Sequence, residues 1–317
     1  MRLSLLFLFA AALALPQTTL PKLNYAAVPD WPNLPAGANF METAGVAVDG
    51  QNHVYVFHRG KTPVMEFDTA GWFVRGWGDG LFDRPHSIRV DAEGNLWTVD
   101  DGSHTVLQMD RHGRVRIVLG RYRQTSDAKS AMSEPTVAAE WRGSRDEGVI
   151  RFNRPTDVAF APNGDIFVSD GYGNSRVVKF AKDGSFVKSW GKRGAGEGDF
   201  NTPHSIVVDR QGRVYVADRE NYRVQVFDGN GKFLAQWKNI GSPWGLALTR
   251  DNHLVMSDGY NNRVLKLTLD GRVVGAFGSL GTQPGQFHYC HQLAVDSSDN
   301  IYTAEILNWR PQKFVPR

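Results

Sequence analysis

The feature that most constrains this chain is an internal repeat of about forty residues. Each copy runs through an apolar triplet, an acidic or turn residue, a Gly or Asn turn, a second apolar alternation and an acidic end. Val46-Ala47-Val48-Asp49 with Val54-Tyr55-Val56 opens the series, and Leu293-Ala294-Val295-Asp296 with Ile301-Tyr302-Thr303-Ala304-Glu305 closes it. The fourth residue of each triplet serves as a landmark. The six landmarks are Asp49, Asp91, Ala161, Asp209, Thr249 and Asp296, separated by 42, 70, 48, 40 and 47 residues. Apart from the interval of 70, this is the period of a propeller, in which no copy can bury its apolar face alone and each must pack on its neighbours.

Within one period the alternation reads as four short strands. In the fourth copy they fall at Ile206 to Val208, Val214 to Ala217, Arg223 to Phe227 and Phe233 to Trp237, with turns at Gln211-Gly212 and Gly229-Asn230-Gly231. Four antiparallel strands make a blade, and a ring of blades leaves only short, protected edges. The predicted fold is all-β: a six-bladed β-propeller with an axial channel. The sixth copy runs out of chain after a third strand at Gln312 to Val315, so its outer strand is expected from the N-terminal segment, Lys22 to Val28. The long interval carries an insertion at about 121–150, rich in charge, Ala and Ser, which reads either as a lid over one mouth or as surface decoration.

Met1-Arg2, an apolar run from Leu5 to Leu15 and small residues at Ala12 and Ala14 have the layout of a secretory signal. Residues 1–17 are therefore expected to be removed on export, to the periplasm or outside the cell, leaving one propeller domain over 18–317. The apolar run is too short for a comfortable membrane span, so stable membrane insertion is not expected. The formal net charge of +3 is spread among both signs, which argues against nucleic acid as a partner. Cys290 is the single cysteine, so no internal disulfide can staple the fold.

Because the copies are in phase, residues at equivalent positions can be compared around the ring. Five residues before the landmark stand Ala44, His86, Thr156, His204, Trp244 and His291. Histidine occupies every second blade, at the entrance to the innermost strand. Three imidazoles about 120° apart form a trigonal set with an open fourth position, as in three-histidine zinc sites. Any one of them alone would be read as a hydrogen-bonded packing residue; the alternation is what points to a metal. Zn2+ is preferred for all-imidazole ligation, with copper and iron as alternatives. Cys290 is read as a small buried residue rather than a fourth ligand.

Ten residues after the landmark stand Arg59, Asp101, Gly171, Arg219, Gly259 and Ile306. Arg59 and Arg219, on blades one and four, could hold a substrate carboxylate at the channel rim, or else form interblade salt bridges. One residue further on, blades three and five carry Tyr172 and Tyr260. Either could bring a phenol near the axis, where a cation and arginines would lower its pKa from about 10. The repeat itself does not choose between them.

The stretch Asp218-Arg219-Glu220-Asn221-Tyr222-Arg223-Val224-Gln225-Val226-Phe227 resembles the strand motif of NHL-repeat propellers. A narrower resemblance is to the peptidyl-α-hydroxyglycine α-amidating lyases, zinc enzymes that complete C-terminal peptide amidation. It rests on Phe57-His58-Arg59-Gly60, Pro85-His86, Asp170-Gly171-Tyr172 with Asn174-Ser175-Arg176, Pro203-His204-Ser205, and Asp218-Arg219-Glu220-Asn221. The resemblance implies that His86, His204 and His291 bind zinc and that Tyr172, rather than Tyr260, is the base. It assigns Arg59 and Arg219 to the substrate carboxylate and the developing oxygen charge. It also implies a structural Ca2+, although the family's Met-Pro-His-Asp is here Tyr289-Cys290-His291-Gln292, with Gln292 in place of the aspartate associated with that ion.

The reading that results is an exported zinc-dependent lyase. It would cleave the C–N bond of an N-acyl or peptidyl α-hydroxyglycine, a small-molecule or peptide substrate with a carboxylate, to an amide and glyoxylate. A non-catalytic NHL-repeat propeller that binds a protein or glycan is the alternative. Lactone hydrolysis at a calcium site ranks last, because such sites use carboxylate and amide oxygens.

Overall fold

A computed structural model describes residues 20–126 and 150–317. Among them, six four-stranded antiparallel sheets stand in a ring, with the inner strand of each neighbouring the inner strand of the next all the way round. This is the six-bladed propeller that the repeat predicts. The proposed signal at 1–17 and most of the insertion at 121–150 lie outside the described residues. None of the described helices is long and apolar enough to cross a membrane.

Blade four shows how the pattern becomes structure. Its strands are Pro203–Val208, Val214–Asp218, Arg223–Phe227 and Phe233–Trp237. The first three follow the apolar residues into the interior, while the outer one is largely exposed at Leu234 and its neighbours. The inner strand begins three residues before the expected Ile206. The cause is a register shift between Pro203 and Ser205, a β-bulge that breaks the two-residue alternation and hides the start of the strand from the sequence pattern.

The N-terminal segment closes the ring. Tyr25–Ala27 pairs with Arg310–Pro316 through Tyr25↔Pro316, Ala26↔Val315 and Ala27↔Phe314. Asn24 and Arg317 fasten the end of this seam by two backbone-directed hydrogen bonds of 2.8 and 2.9 Å.

Two recurrent acids hold the turns. The landmark aspartate accepts backbone amides from its own turn and an aromatic hydrogen bond from the next strand, as Asp209 does from Tyr215 at 2.9 Å and Asp296 from Tyr302 at 2.9 Å. Nine residues later Asp100, Asp170, Asp218, Asp258 and Glu305 each accept the backbone amide that enters the blade from the preceding loop. Blade one has His58 at this position. Its Nδ1 accepts from the amides of Met41 at 3.3 Å and Gly60 at 3.1 Å, so a neutral imidazole performs the task of a carboxylate. Burial pushes the His58 pKa down to about 4, consistent with a ring that must stay unprotonated to accept.

Candidate functional site

The bulge seen in blade four recurs at the same phase in blades one, two, five and six, between Thr43 and Gly45, Pro85 and Ser87, Pro243 and Gly245, and Cys290 and Gln292. In each case the extra residue stands five before the landmark. It is Ala44, His86, His204, Trp244 or His291. A bulged residue lies outside the ladder, which has two consequences at the axis. Side chains at this position can face the channel beside the next residue, although adjacent strand residues ordinarily face opposite ways. Its carbonyl is also left free to accept another bond.

The histidines bond to carbonyls at this phase, those of the bulged Ala44 and Trp244 and, on blade three where the register is unshifted, that of Thr156. His86 Nδ1 donates to Thr156 O at 2.6 Å, His204 Nδ1 to Trp244 O at 2.7 Å, and His291 Nδ1 to Ala44 O at 2.6 Å. Each acceptor is the phase-equivalent residue of the following blade. A carbonyl can only accept, so each Nδ1 carries the hydrogen and each Nε2 keeps its lone pair. Among the described residues, His86, His204 and His291 are the cluster able to hold a metal ion, with ligand atoms all within 4.8 Å of one another. Their ring centroids are 4.6 to 4.9 Å apart.

All three rings are buried. Burial lowers the pKa of His86 and His204 well below the ordinary imidazole value, with the neighbouring histidines and arginines pushing the same way. The same cause brings His291 down to about 3. Three uncharged imidazoles with fixed tautomers and converging lone pairs are a donor set that fits a zinc ion.

The structure also distinguishes the two tyrosines. In five blades the amide ten residues after the landmark donates to the carbonyl seven before it: Arg59 to Glu42, Asp101 to Arg84, Arg219 to Thr202, Gly259 to Ser242 and Ile306 to Tyr289. In blade three it is Tyr172 N, one residue later, that bonds to Arg154 O. Gly171 is the extra residue, and a Cβ there would lie 2.0 Å from Pro203 O, so only glycine fits. Tyr172 thereby occupies the structural position of Arg59 and Arg219, whereas Tyr260 keeps the position of Glu220. Accordingly, Tyr172 Oη lies 3.0 Å from both His86 Nε2 and His204 Nε2, while Tyr260 Oη donates to Glu220 Oε1 at 3.1 Å.

Arg219 Nη1 stands 3.5 Å from Tyr172 Oη, and the Arg219 guanidinium lies over the rings of both Tyr172 and Trp244. Arg59 donates from Nε to Pro85 O at 3.2 Å, and its charge is felt at His86, His291 and Tyr172. Burial raises the Tyr172 pKa, and Arg219 only opposes that rise.

Sequence reasoning passed over Arg84 and Arg154. Both pair with buried Asp101, at 2.8 and 3.1 Å, and Arg154 lies 4.9 Å from the centre of the Tyr172 ring. It also passed over Arg89, which crosses the channel on the far side of the histidines. Arg89 makes a two-pronged pair with Asp157 at 3.0 and 2.5 Å and donates to Leu246 O at 3.0 Å, Leu293 O at 3.4 Å and Ser205 Oγ at 3.2 Å. A signal for it was present: the other five blades carry Ala47, Ala159, Val207, Ala247 and Ala294 at its phase.

The structural calcium implied by the family resemblance does not fit these residues. Gln292 Oε1 accepts from the amides of Val46 and Ile88 at 3.1 and 3.4 Å. Of the acidic side chains, Asp157 is the one engaged here, and it is already neutralised by Arg89. A guanidinium therefore holds the carbonyl and carboxylate oxygens that a calcium ion would need.

Fold and site together define a six-bladed propeller with a buried three-histidine centre on its axis. The chain belongs to the NHL-repeat family of propellers. Residues 152–180 and 200–227 match the NHL repeat itself. Human NHL repeat-containing protein 3 is 32% identical over 322 residues, covering 93% of this chain and 85% of that one. The Drosophila melanogaster peptidyl-alpha-hydroxyglycine alpha-amidating lyase 1 is 30% identical over 356 residues, covering 95% of this chain and 62% of the lyase. The chain spans 22% of the rat peptidylglycine alpha-amidating monooxygenase, to which it is 32% identical over 240 residues. Among solved structures, a streptogramin B lyase superposes with a TM-score of 0.63 at 12% identity, over 93% of this chain and 98% of that one, a likeness of fold alone.

Proposed function

We propose that this propeller is a zinc-dependent lyase that splits N-acyl or peptidyl α-hydroxyglycines into an amide and glyoxylate. The observation that carries this reading is the phenol of Tyr172, 3.0 Å from the metal-facing nitrogens of two of the three histidines, with Arg219 beside it. The named lyase among its relatives adds support.

Zinc held by His86, His204 and His291 would supply Lewis acidity toward the substrate hydroxyl. In the phenolate form that a bound cation and Arg219 would favour, Tyr172 Oη accepts the hydroxyl proton, and Arg219 steadies the charge that develops on oxygen. Arg59 holds the carboxylate. The oxygen electron pair forms the aldehyde C=O, and the C–N pair leaves with the amide nitrogen. That nitrogen takes up a proton, so that amide and glyoxylate account for every atom of the substrate. Tyr172 needs to move a proton by only one bond in each direction, which suits a group held between two rings and two guanidinium groups.

Purified protein supplied with zinc is expected to bind one ion per chain and to release glyoxylate from an N-acyl α-hydroxyglycine. A fully folded protein that takes up no zinc and releases no glyoxylate would favour the binding-module alternative. We also read residues 1–17 as an export signal; a mature protein whose intact mass begins near residue 18 is the expected outcome.

A further inference from the structure

The ring around the metal-facing mouth is chemically divided. Six residues share the structural position of Arg59: Arg59, Asp101, Tyr172 and Arg219 on blades one to four, then Gly259 and Ile306 on blades five and six. The charged and acid-base groups lie on one side, joined by Arg84 and Arg154, while the position on blade five has no side chain at all. A Cβ on Gly259 would fall 2.4 Å from the Trp244 ring, so the missing side chain is what lets the indole lie there.

Trp244 is the centre of an aromatic wall. Tyr289 stacks on it at 5.3 Å with an interplanar angle of 11°, and Tyr260 meets it edge-on at 5.2 Å. Tyr260 also contacts Tyr289 and Tyr222, both at 6.3 Å. The wall reaches the metal centre directly, since the Trp244 ring is 5.6 Å from His204 and 5.9 Å from His291. Its outer members face solvent, with Tyr260 42% and Tyr222 52% exposed. Exposed aromatic rings in a continuous group beside a reactive centre mark a binding surface rather than core.

We propose that Trp244, Tyr260 and Tyr289 form the acyl subsite and select substrates whose N-acyl group ends in an aromatic ring. This rests on the lyase reading for its orientation: the arginines on blades one to four take the carboxylate, so the acyl group extends across the centre toward blades five and six. A flat ring can extend along this wall onto the exposed Tyr260, whereas an acetyl group would reach no further than Trp244 beside the histidines.

Two probes that differ by one benzyl group test the assignment. N-(3-phenylpropanoyl)-α-hydroxyglycine is expected to exceed N-acetyl-α-hydroxyglycine by about 30-fold in kcat/KM, the factor for burying part of one phenyl ring. The ratio should fall about 10-fold in Tyr260→Ala and in Tyr289→Asn, the latter chosen because Tyr289 has a left-handed φ of 57° that asparagine tolerates. Calorimetric binding of the unreactive pair, N-(3-phenylpropanoyl)glycine and N-acetylglycine, gives a readout that needs no turnover and should show the same preference and the same loss. Equal turnover of the two hydroxyglycines overturns the subsite while leaving the lyase reading intact. Selective binding without glyoxylate release overturns the lyase reading and keeps the subsite.

Discussion

The two halves of the axial channel are lined by neighbouring positions of one repeat, yet they are finished in opposite ways. On the histidine side, three imidazoles spend their Nδ1 hydrogens on the next blade, and the Nε2 lone pairs of His86 and His204 meet the Tyr172 phenol. On the far side most polar groups are answered within the protein, Arg89 by Asp157 and two carbonyls, Ser205 by Asp157 and Leu246 N, Gln292 by two amides, while Ser87 Oγ is buried without a hydrogen-bond partner. Beyond Arg89 the channel opens into a funnel of about 230 Å3 lined by Arg89 and by residues such as Val90, Phe160, Val207 and Leu248. The first half presents three converging lone pairs, whereas the second is cross-linked by one guanidinium that reaches four other blades. A site for chemistry and a plug for stability can thus arise from the same scaffold by changing how the axial side chains are partnered.

The sharpest way to break this contrast is to remove the phenol. Tyr172→Phe is expected to lower glyoxylate release by 10²- to 10⁴-fold, the usual range for a lost acid-base group, with bound zinc unchanged. Near-wild-type turnover would take Tyr172 out of the reaction.

On the opposite side, Arg89→Met leaves the buried Asp157 carboxylate without its partner. Denaturant unfolding should report a loss of about 3–5 kcal/mol while the zinc content stays the same. If the variant loses its metal instead, the two halves are not independent.

The pH dependence of stability gives a smaller effect. A histidine whose folded pKa is depressed binds its proton more readily when unfolded, so its contribution is complete above the unfolded value of about 6.5 and is lost as pH falls toward 4. For His58, shifted down to about 4, the loss between pH 7 and pH 5 is roughly 2 kcal/mol. His58→Asn keeps an acceptor but does not titrate; unfolding curves at the two pH values should show a smaller acid loss in that variant than in wild type.

The smallest expected effect is that of calcium. With Arg89 in the place of the ion, adding calcium or EGTA should leave the melting temperature where it was, because a ligand that does not bind cannot shift the equilibrium. A rise with calcium would mean that the guanidinium yields its oxygens.

How much of this was readable in the chain follows from what a repeat reveals. Six landmarks in phase disclosed the blades, the closing strand and the alternation of His86, His204 and His291, because each is a matter of position. The choice between Tyr172 and Tyr260 was not positional: it depends on a one-residue slip at Gly171 that appears only in the backbone hydrogen bonds. Arg154 and Asp157 stayed hidden for a similar reason, since their partners, Asp101 and Arg89, stand on another blade. The carbonyls that orient the histidines belong to Ala44, Thr156 and Trp244, whose side chains give no hint of that task. Arg89 was legible in principle, as one charge among small apolar residues at its phase.

The seam between Tyr25–Ala27 and Arg310–Pro316 sets blade six apart from its five neighbours. Each of those is assembled from a continuous run of chain, whereas this joint brings together residues 293 positions apart. Closing so long a loop is the slowest and most entropically demanding contact in the ring. The contact of His291 with Ala44, 247 positions apart, closes the same ring and is expected to form late in refolding along with the seam. Fastening that seam covalently would make the barrel harder to open at every blade, including the ones the fastening never touches.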